Sequence, residues 1–323
     1  MSSLGDVIHT LPALTDAASA VPGIRFDWVV EEAFAEIPAW HPAVDRVIPI
    51  ALRRWRKSPV QSFRGSEWKR FRARLRSGHY DAVIDAQGLL KSSLVARLVR
   101  APRYGLDKTS ARERLAALSY HHPINVSREL HAVERIRTLF ARALKYTRPS
   151  ERGDYGVRAK LAGRREKKRS GLLFFHGTAR AEKLWPESHW RDLVGLAAGA
   201  GIPVWLPWGD PQERARAHRI ADADSTAQVL PRLDLLGLAS MLLEVEGAVA
   251  VDTGLAHLSA ALDVPTVSLY GPTDTALIGA YGQNQIHIQS PVGVTDTGDP
   301  MEMMQSISVE RVWGELSRIL EHR

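Results

Sequence analysis

The sequence predicts an α/β protein made of two doubly wound domains with parallel sheets, and three observations support this. The chain has 323 residues, about twice the usual length of one domain. Its second half alternates short apolar runs with amphipathic helical patterns, as buried parallel strands and their crossover helices do. A polar, basic segment without apolar periodicity lies at the midpoint. We therefore expect two domains facing across a cleft, over residues 1–157 and 171–323, joined by a basic linker over 158–170.

The first half begins with "MSSLGDVIHTLPAL", in which a Gly-Asp turn leads directly into an apolar helical pattern at Val7, Ile8, Leu11 and Leu14. Further strands and helices follow less regularly. The predicted strands are 24–32, 45–50 and 80–88, and the predicted helices are 91–100 and 131–146.

The second half is more regular. The apolar runs predict strands over 171–178, 202–209, 227–231, 247–253 and 265–272, and the amphipathic segments predict helices over 189–201, 211–222, 235–246 and 254–263. Ligands of such sheets bind at the carboxyl ends of the strands. The polar stretches "HGTARAEK", "PWGDPQE", "VDTGLAH" and "YGPTD" all follow strands, so we expect a ligand site there.

The composition indicates the charge of the partner and excludes several kinds of chemistry. The net charge is +7, and basic residues are concentrated in the first half and at mid-chain, which favours an anionic partner. Cysteine is absent, so disulfides, thiolate metal sites and a cysteine nucleophile are excluded. No Walker or dinucleotide glycine motif, nucleophile elbow, metal-ligand spacing or nucleic-acid motif is present.

The stretch "VDTGLAHLSAAL" is the most informative motif. Asp252 follows a strand, Thr253 lies at a favourable N-cap position, and Gly254 lets backbone N–H groups approach a ligand closely. A helix N-terminus carries partial positive charge and free donors, which suits a diphosphate. The alternative is a well-capped helix in which Asp252 is only a turn residue.

Two further loops carry donors and acceptors for a nucleotide. Thr178, Arg180 and Lys183 bring a hydroxyl and two cations to one loop, a combination that suits phosphate oxygens, although it also fits a solvated charged loop. Glu213 follows "LPWG" and could accept hydrogen bonds from ribose hydroxyls, although surface glutamates are common. The stretch "LYGPTD" also ends a strand, but it is as typical of a plain turn as of a ligand-binding loop.

The chain as a whole resembles the heptosyltransferases of glycosyltransferase family 9, which have the GT-B fold. The resemblance rests on stretches that occur in the family's order: "SSLGDVIHTLPALTDA", "FDWVVEE", "RRWRK", "YDAVIDAQGL", "LHAVERIR", "KLWPESHWRDL", "LPWG", "VDTGLAHLSAALDVPTVSLYGPTD" and "ALIGAYG". "GDVIHTLPAL" and "RRWRK" are similar to the branch that adds the first heptose rather than the second.

This resemblance implies an inverting transfer of L-glycero-D-manno-heptose from ADP-heptose to the first Kdo of Kdo2-lipid A, in lipopolysaccharide inner-core biosynthesis. ADP-heptose is then a substrate, and no cofactor or metal is implied. The implied partners are ADP-heptose, Kdo2-lipid A and the anionic inner-membrane surface, with no nucleic acid. The implied location is cytoplasmic, peripheral on the cytoplasmic face of the inner membrane.

The resemblance also implies roles for individual residues. Asp6 matches the general base and Lys183 the lysine at the donor phosphates. The implied donor-binding residues are Thr178, Lys183, Glu213, Leu233, Asp252, Thr253, Gly254 and His257, and the implied acceptor-binding residues are Arg53, Arg54, Arg56, Lys57 and Arg112. The family often has a Thr-Thr pair where this chain has Thr178-Ala179. A C-terminal helix that packs back on the first domain is a further expectation.

Two alternatives stay open: a heptosyltransferase with a different acceptor, and a GT-B nucleotide-sugar epimerase or a binding protein without catalysis. The family also carries a short apolar strand ahead of its Ser-Ser-x-Gly-Asp segment, central in the first sheet, whereas this sequence starts at Met1-Ser2-Ser3. We therefore expect the first domain to lack its first strand, and an added apolar strand to raise both stability and activity.

Overall fold

The structure is a computed structural model that describes residues 3–162, 170–293 and 299–321. The chain divides into two compact units, Met1–Gly156 and Val157–Arg323. Of the predicted linker, Arg158–Ala162 forms a short helix of the second unit, and residues 163–169 lie outside the described residues. All strand pairs in both units are parallel, which confirms the predicted class of sheet.

The first unit alternates short strands with helices. Its strands are β1 (Phe26–Glu31), β2 (Val44–Ile50), β3 (Val83–Asp85), β4 (Arg103–Leu106) and β5 (His122–Ile124). Its α-helices are α1 (Leu4–Ala20), α2 (Glu36–Ala39), α3 (Leu52–Trp55), α4 (Pro59–Arg64), α5 (Ser66–Arg76), α6 (Leu90–Ala96) and α7 (Ala132–Leu144). The predicted strands and helices of this half are all present, whereas β4, β5 and α5 were not predicted.

Helix α1 begins earlier than the sequence suggests. Ser3 is its N-cap, and the Ser3 hydroxyl accepts the backbone N–H of Asp6 at 3.1 Å. Asp6 therefore lies in the first helical turn, and the prediction of a Gly-Asp turn ahead of the helix is wrong. The helix forms there because Val7, Ile8 and the leucines that follow at helical spacing are fully buried, and because Ser3 satisfies a free N–H at its start.

The first unit carries its strands in two separate parallel pieces. One piece is β1 with β2, and the other is β3, β4 and β5 in that order. A cavity of about 630 Å³ is lined by residues 24–29, which include most of β1, and by residues 79–87 around β3. Residues of α1 and α7 line the cavity as well, together with residues of α6. Among the described residues, β1 pairs only with β2, and β3 pairs only with β4.

Within its described residues, the second unit contains one sheet of six parallel strands. In spatial order these are β11 (Gln285–Gln289), β10 (Thr266–Tyr270), β9 (Gly247–Val251), β6 (Leu172–Phe175), β7 (Val204–Leu206) and β8 (Ala227–Val229). Its α-helices are α8 (Arg158–Ala162), α9 (Glu187–Gly199), α10 (Pro211–Ala221), α11 (Leu235–Glu244), α12 (Gly254–Ala261), α13 (Thr275–Ile278), α14 (Pro300–Gln305) and α15 (Val309–Glu321). The five strands and four helices predicted between residues 171 and 272 are confirmed, and β11 was not predicted.

The C-terminal helix α15 packs into the second unit. Val309, Val312 and Leu316 are buried in the same apolar core as Trp185 and Trp190. The buried face of α15 therefore belongs to the core of the second unit, where the sequence analysis expected packing on the first.

Candidate active site

The carboxylate of Asp6 is held by two donors in the first unit. Arg112 Nη2 donates to Asp6 Oδ1 at 2.8 Å, and Gln87 Nε2 donates to Asp6 Oδ2 at 3.1 Å. The Asp6 side chain is 17% exposed. Asp6 and Arg112 are 106 positions apart in sequence, so the fold itself brings together the predicted base and a predicted acceptor-binding residue.

This environment keeps Asp6 ionised. Burial raises the pKa of the Asp6 carboxyl. The charge of Arg112 and the hydrogen bonds from Ser3 and Arg112 lower this pKa by more than burial raises it, so the net pKa lies below its usual value. An ionised carboxylate of low pKa is a weak base. Asp6 can therefore assist a proton transfer only through close and correct placement beside the proton donor.

The predicted acceptor-binding run from Arg53 to Lys57 lies in helix α3 and the turn that follows it. The Arg54 guanidinium donates to Glu32 at 3.2 Å and to Glu67 at 2.9 Å, which occupies its charge within the protein. Trp55 is buried, donates its indole N–H to Glu67 at 3.0 Å and stacks edge-on against Trp68. This buried tryptophan anchors the run.

Arg53, Arg56 and Lys57 are the other basic residues of this run. Arg53 lies over the Phe34 ring, with its guanidinium carbon 5.4 Å from the ring centroid. Arg56 and Lys57 are exposed. Lys91, which the sequence analysis did not single out, lies close enough to Arg53, Arg56 and Asp6 for their charges to act on it. Burial and the two arginines lower the pKa of Lys91, and Asp6 acts in the opposite direction.

In the second unit, the Asp252 carboxylate joins the loops after three strands. Lys183 Nζ lies 2.5 Å from Asp252 Oδ2, and Thr273 Oγ1 donates to the same oxygen at 2.5 Å. Thr178 Oγ1 donates to the Asp252 backbone carbonyl at 2.9 Å. The structure therefore brings the predicted residues Thr178, Lys183 and Asp252 into one cluster and adds Thr273, from the stretch that the sequence left open between a ligand loop and a plain turn.

The helix that follows Asp252 has the expected N-terminus. Thr253 is the N-cap of α12 and has extended backbone, although its side chain makes no capping hydrogen bond. Gly254 is the first residue of the helix, and His257 is 7% exposed, one turn further along. The first backbone N–H groups of α12 thus follow directly after Asp252, which pairs with Lys183. The partial positive charge and the free donors of this helix N-terminus suit an anionic ligand.

Glu213 is fixed against the loop after β6. Its carboxylate accepts the Gly209 N–H at 2.7 Å, and the Asp210 side chain caps the helix from which it projects. A Cβ on Gly177 would lie 2.4 Å from Glu213 Oε1, so only glycine permits this approach. Leu233 is half-buried and lies beside Gly237 at the start of α11. Glu213, Leu233 and Asp252 follow β7, β8 and β9 of one parallel sheet, so they lie toward the same edge of that sheet.

Sequence reasoning missed Gln87 and Lys91, and it did not single out Thr273 within the "YGPTD" stretch. The signal for Gln87 and Thr273 was present, because Gln87 lies at the carboxyl end of a predicted strand and Thr273 lies just after one, where ligand residues of parallel sheets cluster. Lys91 had no such signal, since a lysine at the start of a helix is ordinary.

Residues 3–162, 170–293 and 299–321 contain neither a candidate metal-ligand cluster nor a helix able to span a membrane. In these ranges no cluster of three or more His, Cys, Asp or Glu side chains could hold a metal ion. Over the same ranges, no helix is both long enough and apolar enough to cross a bilayer.

The chain is similar to known proteins over nearly its whole length. A family model described as glycosyltransferase family 9 (heptosyltransferase) matches residues 68–303. Lipopolysaccharide heptosyltransferase 1 of Pseudomonas aeruginosa is 56% identical over 290 residues, which are 90% of this chain and 82% of that protein. The protein of the same name from Escherichia coli K12 is 51% identical over 292 residues, 90% of this chain and 92% of that protein.

Two solved structures agree with this. The E. coli heptosyltransferase WaaC with ADP matches with a TM-score of 0.92 and 46% identity, over 99% of this chain and 98% of that chain. The same enzyme with ADP-2-deoxy-2-fluoro heptose matches with a TM-score of 0.89 and 45% identity, over 98% and 97%. These matches confirm the expected fold class and the resemblance noted in the sequence. With its fold, its length and more than half of its residues matched, the chain belongs to glycosyltransferase family 9, the heptosyltransferases.

Proposed function

We propose that this glycosyltransferase moves L-glycero-D-manno-heptose from ADP-heptose to the first Kdo of Kdo2-lipid A, with inversion at the anomeric carbon, during lipopolysaccharide inner-core biosynthesis. The observation that carries the proposal is the chain-long likeness, at 46% identity, to the E. coli heptosyltransferase that was solved with ADP. The lipopolysaccharide heptosyltransferases 1 that are 51–56% identical support the same assignment.

The second unit supplies the donor site in this proposal. Lys183 and the first N–H groups of α12, at Thr253 and Gly254, neutralise charge as ADP departs, and Thr178 adds a hydroxyl donor. Because Lys183 is only 15% exposed, its charge acts on the diphosphate with little screening by water. The alanine at position 179 leaves Thr178 without the second hydroxyl that the family often has.

The remaining donor contacts orient the nucleotide sugar. Glu213 accepts hydrogen bonds from the ribose hydroxyls, and Leu233 covers the adenine with an apolar side chain. Asp252 and His257 hold the sugar hydroxyls. The support for Asp252 is its position: its carboxylate already lies between Lys183 and Thr273, so a sugar hydroxyl there would meet a fixed acceptor.

In the first unit, Asp6 takes the proton of the attacking acceptor hydroxyl as that oxygen bonds to the anomeric carbon and the ADP oxygen leaves. Its low pKa makes early proton removal unfavourable, so it accepts the proton late, when the attacking oxygen has become acidic. Arg112, which donates to Asp6, is placed to contact a carboxylate of the acceptor with its remaining N–H groups.

The acceptor and its surface account for the basic first half of the chain. Arg53, Arg54, Arg56 and Lys57 contact acceptor anions or lipid head groups, with Arg54 the weakest contributor because two glutamates already pair with it. We place the protein at the cytoplasmic face of the inner membrane, bound peripherally, since its acceptor is lipid-linked and each basic group near an anionic surface adds about 1 kcal/mol.

The deciding experiment incubates the chain with ADP-heptose and purified Kdo2-lipid A and analyses both products by mass spectrometry. We expect one heptose added to the lipid and stoichiometric ADP. Transfer to a more complete core but not to Kdo2-lipid A would indicate a different acceptor. Isomerised sugar nucleotide without transfer would indicate an epimerase; the UDP-GlcNAc 2-epimerase of Methanocaldococcus jannaschii has a TM-score of 0.52 at 12% identity, which shows a shared fold only.

A further inference from the structure

Gln87 is a buried amide whose side chain contacts the carboxylate proposed as the general base. It is 6% exposed, and its Nε2 donates to Asp6 Oδ2 at 3.1 Å. Arg112 holds the other oxygen of the same carboxylate. The two donors differ in kind, because Arg112 is charged and half-exposed whereas Gln87 is neutral and buried. A substrate anion can attract the charged Arg112 away from Asp6, whereas it has little attraction for a neutral, buried amide.

The turn that carries Gln87 is fixed by a buried carboxylate. Asp85 Oδ1 accepts the backbone N–H of Gln87 at 2.9 Å and that of Gly88 at 3.3 Å. Asp85 Oδ2 accepts the Tyr120 hydroxyl at 2.7 Å. Asp85 and Tyr120 are 6% and 7% exposed, so this network lies in the interior, where such bonds are strong and specify one geometry.

Two glycines allow this turn and its support. Gly88 has φ +64, the left-handed region that glycine adopts without strain. A Cβ on Gly105 would lie 2.4 Å from the Tyr120 ring, so Tyr120 can reach Asp85 only past a glycine. The Glu113 N–H donates to the Gly88 carbonyl at 3.1 Å, which ties the segment after Arg112 to the same turn. The donors on both Asp6 oxygens therefore rest on one connected frame.

We propose that Gln87 is a positioning residue: held by Asp85 and Tyr120, it fixes the orientation of the Asp6 carboxylate so that one oxygen stays turned toward the acceptor hydroxyl during transfer. The proposal rests on the proposed function, since it assigns Gln87 a role through Asp6. A weak base depends on placement, and a misplacement of about 1 Å can reduce a rate about 100-fold.

The titratable and charged groups around Asp6 come from several elements. They are Arg112, Lys91, Arg135 and Asp85, together with His9 on the next turn of α1, which packs edge-on against His131. Gln87 donates to the charged form of Asp6, so its loss raises the pKa of Asp6 whatever the state of the other groups. Removal of the Gln87 amide is therefore expected to raise the pKa of Asp6.

The test compares the full-length chain with the Gln87→Leu and Gln87→Glu variants. For Gln87→Leu we expect kcat to fall at least tenfold, KM for ADP-heptose to stay within about twofold, and the acid limb of the kcat profile to move up by about one pH unit. For Gln87→Glu, which is nearly isosteric, we expect a larger shift, because a second carboxylate then faces Asp6. Gln61→Leu, at an exposed glutamine of the same unit, is the matched control and should change nothing.

A second measurement needs no turnover. Carboxyl ¹³C NMR of aspartate-labelled protein, with Asp6 assigned by difference from Asp6→Asn, gives its titration midpoint in each variant. We expect the midpoint to rise by about one pH unit in Gln87→Leu. An unchanged Asp6 midpoint in the folded variants overturns the positioning role. Variants that keep the wild-type kcat and pH profile in an active chain overturn it as well. An inactive wild-type chain with a shifted midpoint overturns the proposed function alone.

Discussion

Asp6 and Lys183 are the two charged residues on which the proposed chemistry depends most. Each is mostly buried and each makes a close ion pair, Asp6 with Arg112 and Lys183 with Asp252. Neither pair is needed to complete an apolar core, and both leave donors or acceptors for a further ligand. Substitution at either site should therefore affect ligand binding and turnover more than folding, and the two sites should differ in which of these they affect.

The Asp6→Ala variant should lose turnover and keep its nucleotide. General bases contribute about 10²–10⁴-fold, so kcat should fall by about 1,000-fold, while the affinity for ADP should change by less than about twofold. Steady-state kinetics and calorimetric titration with ADP measure the two quantities. Asp45→Ala, at an exposed aspartate paired with Arg25, is the control and should retain both. A turnover near the wild-type value in Asp6→Ala would exclude Asp6 as the base.

The Lys183→Ala variant should lose both properties. We expect ADP to bind about tenfold more weakly and kcat to fall by about 100-fold, because the lysine acts on the diphosphate in the bound and the departing state. The same two measurements apply, with Lys160→Ala as the control at an exposed lysine of the same unit. Loss of kcat with unchanged ADP affinity would place Lys183 away from the phosphates.

At the scale of elements, β1 and β3 each leave one edge without a paired strand among the described residues, and both line one cavity of the first unit. Phe26, Trp28 and Ile84 pack into one apolar cluster, and Val29 and Val83 pack into another, so the edges carry apolar side chains on both faces. An apolar strand between these edges would pair with both and cover both clusters. The cavity of about 630 Å³ is the space that such a strand would fill.

We expect an apolar strand of about seven residues, added upstream of Ser3, to raise the melting temperature by about 5 °C or more and to raise kcat, because α1 and Asp6 are then better supported. Differential scanning calorimetry and the transfer assay measure these effects. The control has the same length with a central proline, which cannot complete the ladder. Equal melting temperatures in the two extended chains would show that the cavity does not take a strand.

The elements that sequence could predict are those whose pattern is local. In the second unit, strands β6, β9 and β10 are runs of mostly apolar residues that are buried on both faces, so their positions are visible without tertiary information. β4 has four residues and begins with a half-buried arginine, and β5 has three residues and begins with an exposed histidine, so no apolar run marks either strand. Helix α5 was treated only as a basic run, although Phe71 and Leu75 are buried at helical spacing and the signal was there.

The site shows the same limit. The strand-end positions of Asp252, Lys183 and Thr178 could be predicted because parallel sheets collect ligand residues at one edge. The hydrogen bond between Gln87 and Asp6 joins residues 81 positions apart and has no local pattern, so only the fold reveals it.

At the scale of the whole molecule, both units bury a histidine in its neutral form. His41 in the first unit accepts the Ala43 N–H at Nδ1 and contacts Thr15 Oγ1 through Nε2, and burial lowers its pKa to about 4. In the second unit, burial and then the charge of Arg216 lower the pKa of His176 to about 4. In the unfolded chain both titrate near 6.5.

Stability should therefore fall as the pH drops from about 6.5 toward 4, because the unfolded chain takes up protons that the folded chain refuses. For His41 we expect a loss of about 2 kcal/mol by pH 5, measured by urea unfolding at pH 7.5 and 5. His41→Gln should be less stable at pH 7.5 but lose less on acidification, whereas His79→Gln, at an exposed histidine, should follow the wild type. An acid dependence identical in His41→Gln and wild type would contradict this role.

The net charge of +7 gives a second prediction for the molecule as a whole. We expect flotation with vesicles containing anionic phospholipid, little flotation with neutral vesicles, and release at about 0.5 M salt, since surface attraction is screened within a few ångströms there. An exchange of both Arg56 and Lys57 for glutamine should weaken the flotation; exchange of Arg311 and Arg318, in the second unit, is the control. Flotation that is unchanged at about 0.5 M salt would contradict an electrostatic contact with the membrane.

The two-piece sheet of the first unit also bears on how copies of the chain behave in concentrated solution. Strand edges with unpaired N–H and C=O groups and apolar faces are the surfaces through which separate chains join into extended sheets. In the described part of the chain, β1 and β3 present two such edges on opposite sides of one opening. A chain in which no strand occupies this opening should therefore associate as its concentration rises, and a strand placed in the opening should suppress that association.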